Sequence, residues 1–178
     1  MGVVVTKSTE LDNVEASPII ANSVLNIHGR LRIKSAAVTV ADADSDTSLF
    51  RFFRVRSSDS LKSIQVRTSQ AFTNGTDWDC GLYTINTGAV VDSDLYADGA
   101  TLATAAPAIP HAVASAPYQE LRFADATTAI MSDINNTVWE DLGLSADSQL
   151  EYDLCLLANT IGSQGGVLSL TLLYTAGD

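Results

Sequence analysis

Cysteine, histidine, basic charge and long apolar runs are what this chain of 178 residues has least of. Cys80 and Cys155 stand far apart, each inside a strand-like run and neither beside a histidine, which excludes a zinc site and a disulfide framework and predicts two buried free thiols. His28 and His111 are the only histidines, and each adjoins a turn. No Gly-x-Ser-x-Gly elbow supplies a nucleophile for either. The glycine-rich stretch Gly162-Ser163-Gln164-Gly165-Gly166 lacks the lysine and following helix of a phosphate loop. The expectation is a protein that is not an enzyme and holds no cofactor. Ten basic residues against 21 acidic ones give a net charge of −11, which argues against nucleic acid as a partner. No apolar run approaches the roughly 20 residues that span a bilayer, and the start MGVVVTKSTELDN lacks the pattern of a secretory signal. No membrane partner is expected.

What is present is a chain 46% hydrophobic and 17% charged, too apolar for disorder and long enough for one domain with its own core. Eight of the ten basic residues fall between Arg30 and Arg67, so one face of the domain is expected to be basic. The clearest local pattern, SLFRFFRVRSSDSLKSIQVRT from Ser48 to Thr68, reads as two strands joined by a tight turn at Ser57-Ser58-Asp59-Ser60, a hairpin with one dry and one wet face. Within it Phe50 and Phe52 share one face while Phe53 and Val55 share the other, which predicts a β-bulge or a strand covered on both sides.

Further strands are expected at Ser23–Ile27, Leu31–Val40, Cys80–Ile85, Tyr118–Phe123, Leu150–Ala158 and Val167–Tyr174, the last two as a hairpin. Short extended pieces at Val90-Val91 and Leu95-Tyr96 join them. In Arg30-Leu31-Arg32-Ile33-Lys34 the period of two predicts basic side chains in water, with Leu31 and Ile33 in the core beside Phe50, Phe52, Ile64, Val66, Leu82, Leu154, Leu156, Leu170 and Leu172. Pro107, Pro110 and Pro117 make the Ala-rich stretch from Thr101 to Ala116 a long loop. One or two short helices fit Ala126–Ile134 and Val138–Leu142. Nine or ten short strands and little helix predict an all-β fold: an antiparallel β-sandwich, with a jelly roll the first choice of topology. Residues 1–21 read as an N-terminal arm and 22–178 as a single β-sandwich domain.

Two constellations merit a chemical reading. Asp42-Ala43-Asp44-Ser45-Asp46 opens like a calcium loop, but Thr47 replaces the sixth-position glycine and Phe53 the twelfth-position glutamate, so a solvated acidic loop is expected. Trp78, Tyr83, Tyr96 and Trp139 offer rings for a sugar platform, the alternative reading being a carbohydrate- or receptor-binding module of a tail or fibre. Core packing of those rings is the competing expectation.

The stretch Trp78-Asp-Cys-Gly-Leu-Tyr-Thr-Ile-Asn-Thr-Gly-Ala-Val-Val-Asp-Ser-Asp-Leu-Tyr96 resembles a pattern of head proteins of tailed bacteriophages. With the late pair of strands and the acidic composition, the chain is similar in character to capsid decoration, or cement, proteins with a jelly-roll fold. The resemblance implies a virion protein made in the host cytoplasm and added to the capsid exterior, where it binds the major capsid protein as a homo-oligomer, a trimer favoured over a dimer. It carries over no functional residue. The expected partner-binding residues are instead Val3, Val4, Val5, Ile19 and Ile20, which give the polar arm apolar handles, and Arg51, Arg54 and Arg56 on the basic face.

Overall fold

A computed structural model describes residues 16–18, 20, 30–102, 118–122, 131–162 and 165–177. Eight strands occur among them: β1 Leu31–Val40, β2 Ser48–Arg56, β3 Ser60–Thr68, β4 Asp77–Thr84, β5 Val90–Ala100, β6 Tyr118–Glu120, β7 Glu151–Thr160 and β8 Gly166–Thr175. One sheet has the order β1-β8-β3-β6 and the other β2-β7-β4-β5. Strand β1 pairs with β8, β2 with β7, β3 with β6 and β4 with β5, all antiparallel. The chain is therefore a long hairpin with its tip at β4–β5, rolled so that alternate pairs fall in opposite sheets. That is a jelly roll.

The roll explains why consecutive strands do not pair where the sequence predicts hairpins. Strands β2 and β3 do form, but Ser57–Asp59 carries the chain from one sheet to the other. Asp59 holds this crossing: its carboxylate accepts the backbone N–H of Arg56 at 2.9 Å and of Gly177 at 3.2 Å. No residue of the crossing has a positive φ, whereas the two-residue turn of a tight hairpin requires one. Strands β7 and β8 likewise lie in opposite sheets. The true hairpin between neighbours is β4–β5, whose turn places Asn86 at φ 69° and Gly88 at φ 68°. The bulge expected in β2 is present between Arg51 and Phe53.

Alternate residues of both sheets fill the space between them. Leu61, Ile64, Val66, Leu168, Leu170 and Leu172 meet Val55, Leu82, Leu154 and Leu156, and Trp78 stacks between Phe50 at 5.8 Å and Phe72 at 5.6 Å. Phe50 and Phe52 are half-buried at its margin. Leu31 and Ile33 are not core: they are 57% and 65% exposed on the outer face of β1. The inner positions of that strand are Arg32, Lys34, Ala36, Val38 and Val40, so the apolar stripe changes face midway and alternation alone favours the wrong phase.

Helix is confined to a 3₁₀ turn at Met131–Asn135 and a one-turn helix α1, Val138–Asp141, among the described residues. The rest of the stretch expected to be helical, 126–130, lies outside them, as does the strand at 23–27.

Candidate interaction surface

Where the edge strands β1 and β2 touch, the sandwich opens into a cleft of about 340 Å³ lined by Arg32, Lys34, Arg54, Arg56, Asp59 and Glu151. Lys34 reaches it from an inward position because its stem has somewhere to lie: Nζ sits 4.7 Å from the centre of the Tyr174 ring and donates to the Arg54 carbonyl at 2.7 Å. This is snorkelling combined with a cation–π contact. On β2 the register sets Arg54 opposite Asp153 and Arg56 opposite Glu151. The resulting ion pairs are long, 3.6 Å from Arg54 to Asp153 and 3.7 Å from Arg56 to Glu151, and the arginine side chains remain half or more exposed. Pairs of this kind contribute little, so both guanidinium groups are available to a partner.

Arg51 differs. Its Nε donates to Asp153 at 2.9 Å and a second nitrogen donates to the same oxygen. The hydrogen bond and charge of Asp153 raise the guanidinium pKa above its ordinary value. Arg51 thus covers a buried carboxylate on the face of the sheet. The structure brings Arg51, Arg54 and Arg56 together on one strand, but only the latter two open to the cleft. Arg32 and Lys34, part of the basic run but not among the residues expected to bind a partner, join them from the neighbouring sheet. Val3, Val4, Val5 and Ile19 lie outside the described residues; Ile20 is exposed.

The opposite rim is acidic. Strands β4 and β5 carry five aspartates and no basic residue. Asp77 and Asp79 are held by the Asn159 amide at 3.3 and 2.6 Å. Asp92 has its pKa raised, first by partial burial and then by the Asp94 carboxyl beside it. An acid whose affinity for protons increases on folding binds more protons in the native state, so its contribution to stability falls as pH rises through that range. Asp92→Asn is accordingly expected to stabilise the protein at neutral pH by about 0.5 kcal/mol, since it removes a partly buried charge and its repulsion from Asp94 on the same strand, a cost on the scale of like-charge pairs in sheets. Thermal melts should show the gap between variant and parent closing as pH drops into the carboxylate range.

The remaining candidates resolve into structure. Trp78, Tyr83 and Tyr96 are buried, so they do not form a sugar platform with Trp139. Asp44 accepts the Ala41 N–H at 2.8 Å, Asp46 the Ile161 N–H at 2.9 Å and Asp42 the Gly165 N–H, so each carboxylate of the acidic loop pins a different piece of backbone. Cys80 and Cys155 are buried free thiols, their pKa values pushed up chiefly by burial. His28 and His111 lie outside the described residues.

No protein-family model and no curated protein sequence matches the chain. Among solved structures, a chain from the cyanophage Pam1 capsid asymmetric unit aligns with a TM-score of 0.46 and 12% identity over 83% of this chain and 86% of that one. A chain from the capsid of Ralstonia phage GP4 aligns at 0.55 and 10% identity, covering 84% of this chain and 86% of that one. This chain shares its β-sandwich fold with that chain of the phage GP4 capsid.

Proposed function

We propose that the chain is a structural protein of a tailed-phage virion that binds the outside of the capsid and stabilises contacts between major capsid protein subunits, as a decoration or cement protein. The observation that carries this reading is the fold likeness to a chain of the GP4 capsid over most of both chains. The distribution of chemistry supports it: the prominent exposed features are charged and apolar strand edges, which suit a protein surface as partner. Residues 1–21 serve as a docking strap in this reading. Val3, Val4, Val5, Ile19 and Ile20 bring apolar area and edge pairing to an otherwise polar segment, and the ordering cost of roughly 1–2 kcal/mol per residue is met only on contact with the particle.

The test is sedimentation of phage particles followed by immunogold labelling for this protein. Label on the faces of heads, and loss of the protein from particles when residues 1–20 are deleted while the domain stays folded, are expected. Particles free of the protein would overturn the reading, and full occupancy by the truncated protein would overturn the strap.

A further inference from the structure

We propose that copies of this chain associate head to tail, the basic β1/β2 rim of one copy seating on the acidic β5 rim of the next. Three observations carry it. The sheet orders put β1 and β2 at one side of the sandwich and β5 at the other, so the two rims face away from each other on one molecule and cannot satisfy one another. Their charges are complementary: Arg32, Lys34, Arg54 and Arg56 outnumber Asp59 and Glu151 at the first, and β5 with its hairpin partner holds aspartates alone among charged residues at the second. Each edge strand also exposes large apolar side chains, Leu31 and Ile33 on the outer face of β1, away from the cleft, and Val90 and Val91 at the start of β5. Opposite charges on two distinct surfaces of one chain describe a heterologous contact. A contact of that type closes into a ring when its rotation divides a full turn, and runs on as a filament when it does not.

Two rims of like sign would repel, so an isologous pairing of basic rim with basic rim, or acidic with acidic, is disfavoured at low ionic strength. The contact is independent of the capsid reading, because both surfaces belong to this chain.

Reciprocal charge reversal of the full-length protein tests the proposal without any capsid present. The first variant, R32E with R56E, makes both rims acidic; the second, V90K with D94K, leaves two lysines against two aspartates on β5 and so removes that strand's net negative charge. All four positions are exposed, and circular dichroism establishes that each variant is folded. Sedimentation velocity at low salt should show the parent self-associating, each variant alone weakened by about tenfold or more, and an equimolar mixture of the two restoring association. Added salt should dissolve the parent assembly. A parent that stays monomeric at low salt, a V90K/D94K protein that associates like the parent, or a mixture of folded variants that fails to recover would each overturn the head-to-tail contact. Loss of particle binding by R32E/R56E with self-association intact would also overturn it, assigning the basic rim to the capsid protein instead.

Discussion

Arg122→Met is expected to cost roughly 3–5 kcal/mol, the range for removing one partner of a buried ion pair. Arg122 is the only basic residue after Arg67. It follows β6 and is packed into the interior, its side chain 3% exposed and that of Asp141 8% exposed. It donates to Asp141 at 2.8 Å and to the Asp133 carbonyl at 3.0 Å, and its guanidinium lies 5.3 Å from the Tyr96 ring centre. One side chain thus ties β5, the 3₁₀ turn and α1 to the end of β6. Burial raises the pKa of Asp141 even with Arg122 pulling it down, so without the arginine this carboxyl is pushed further towards its protonated form. The native state then binds a proton that the unfolded state releases, and the penalty shrinks as pH falls. In a domain of this size such a loss lowers the melting temperature by about 10 °C or more. Denaturant titrations of Arg122→Met, Asp141→Leu and the double variant should show strong coupling, the double variant recovering part of the loss because no charge is left buried alone. Additive losses would mean that the pair does not act as a unit.

What the sequence made legible follows from what period-two alternation encodes. It locates strands and separates a dry face from a wet one, and this suffices for β3, β7 and β8, where Ile64, Val66, Leu154, Leu156, Leu170 and Leu172 are buried as expected; in β2 the bulge leaves Phe50 and Phe52 half-buried and puts Val55 in the core instead. It does not say which strand lies beside which. The alternation of Ser48–Thr68 is the same for a hairpin as for two strands in opposite sheets; the discriminating sign was the turn, since Ser57-Ser58-Asp59-Ser60 contains neither the glycine nor the asparagine that tight hairpins need. Leu31 and Ile33 failed for another reason. At the mouth of a sandwich an inward position is near water, so a long cationic side chain can occupy it and leave the apolar alternates outside.

The basic face was legible as a run of charge and illegible as a site. Clustering of basic residues between 30 and 67 foreshadowed it, but the cleft depends on β1 and β2 being edges of different sheets, a property of the complete roll. Arg51 shows the same limit at closer range, because its partner Asp153 is 102 positions away. The phase flip at Phe52-Phe53 marked the bulge beside Arg51, and nothing local named the carboxylate.

The β4–β5 hairpin leads to the other large effect, Gly81→Ala. Between the pairs Cys80–Ala97 and Leu82–Asp92, β5 advances five residues while β4 advances two. The surplus arches across β4, and Gly81 lies beneath it: a β-carbon there would stand 2.1 Å from the Asp92 carbonyl oxygen and 2.4 Å from the carbonyl of Ser93. These are backbone atoms, so no rotamer change relieves the clash and the arch must lift. Gly81 is also the register partner of the fully buried Cys155 on β7, so there is no free space on that side to absorb the displacement. Overpacking of this kind costs about 3 kcal/mol, a fall of roughly 6–12 °C in melting temperature. Gly143→Ala is the control: its φ of +68° strains any substitution, but a β-carbon there meets nothing within 4 Å, so about 1 kcal/mol is expected from backbone conformation alone. Equal losses at the two positions would reduce Gly81 to a conformational effect and contradict the close approach of the arch. A larger loss at Gly81, together with weaker self-association because the arch carries Asp94 of the acidic rim, is the outcome that the geometry requires.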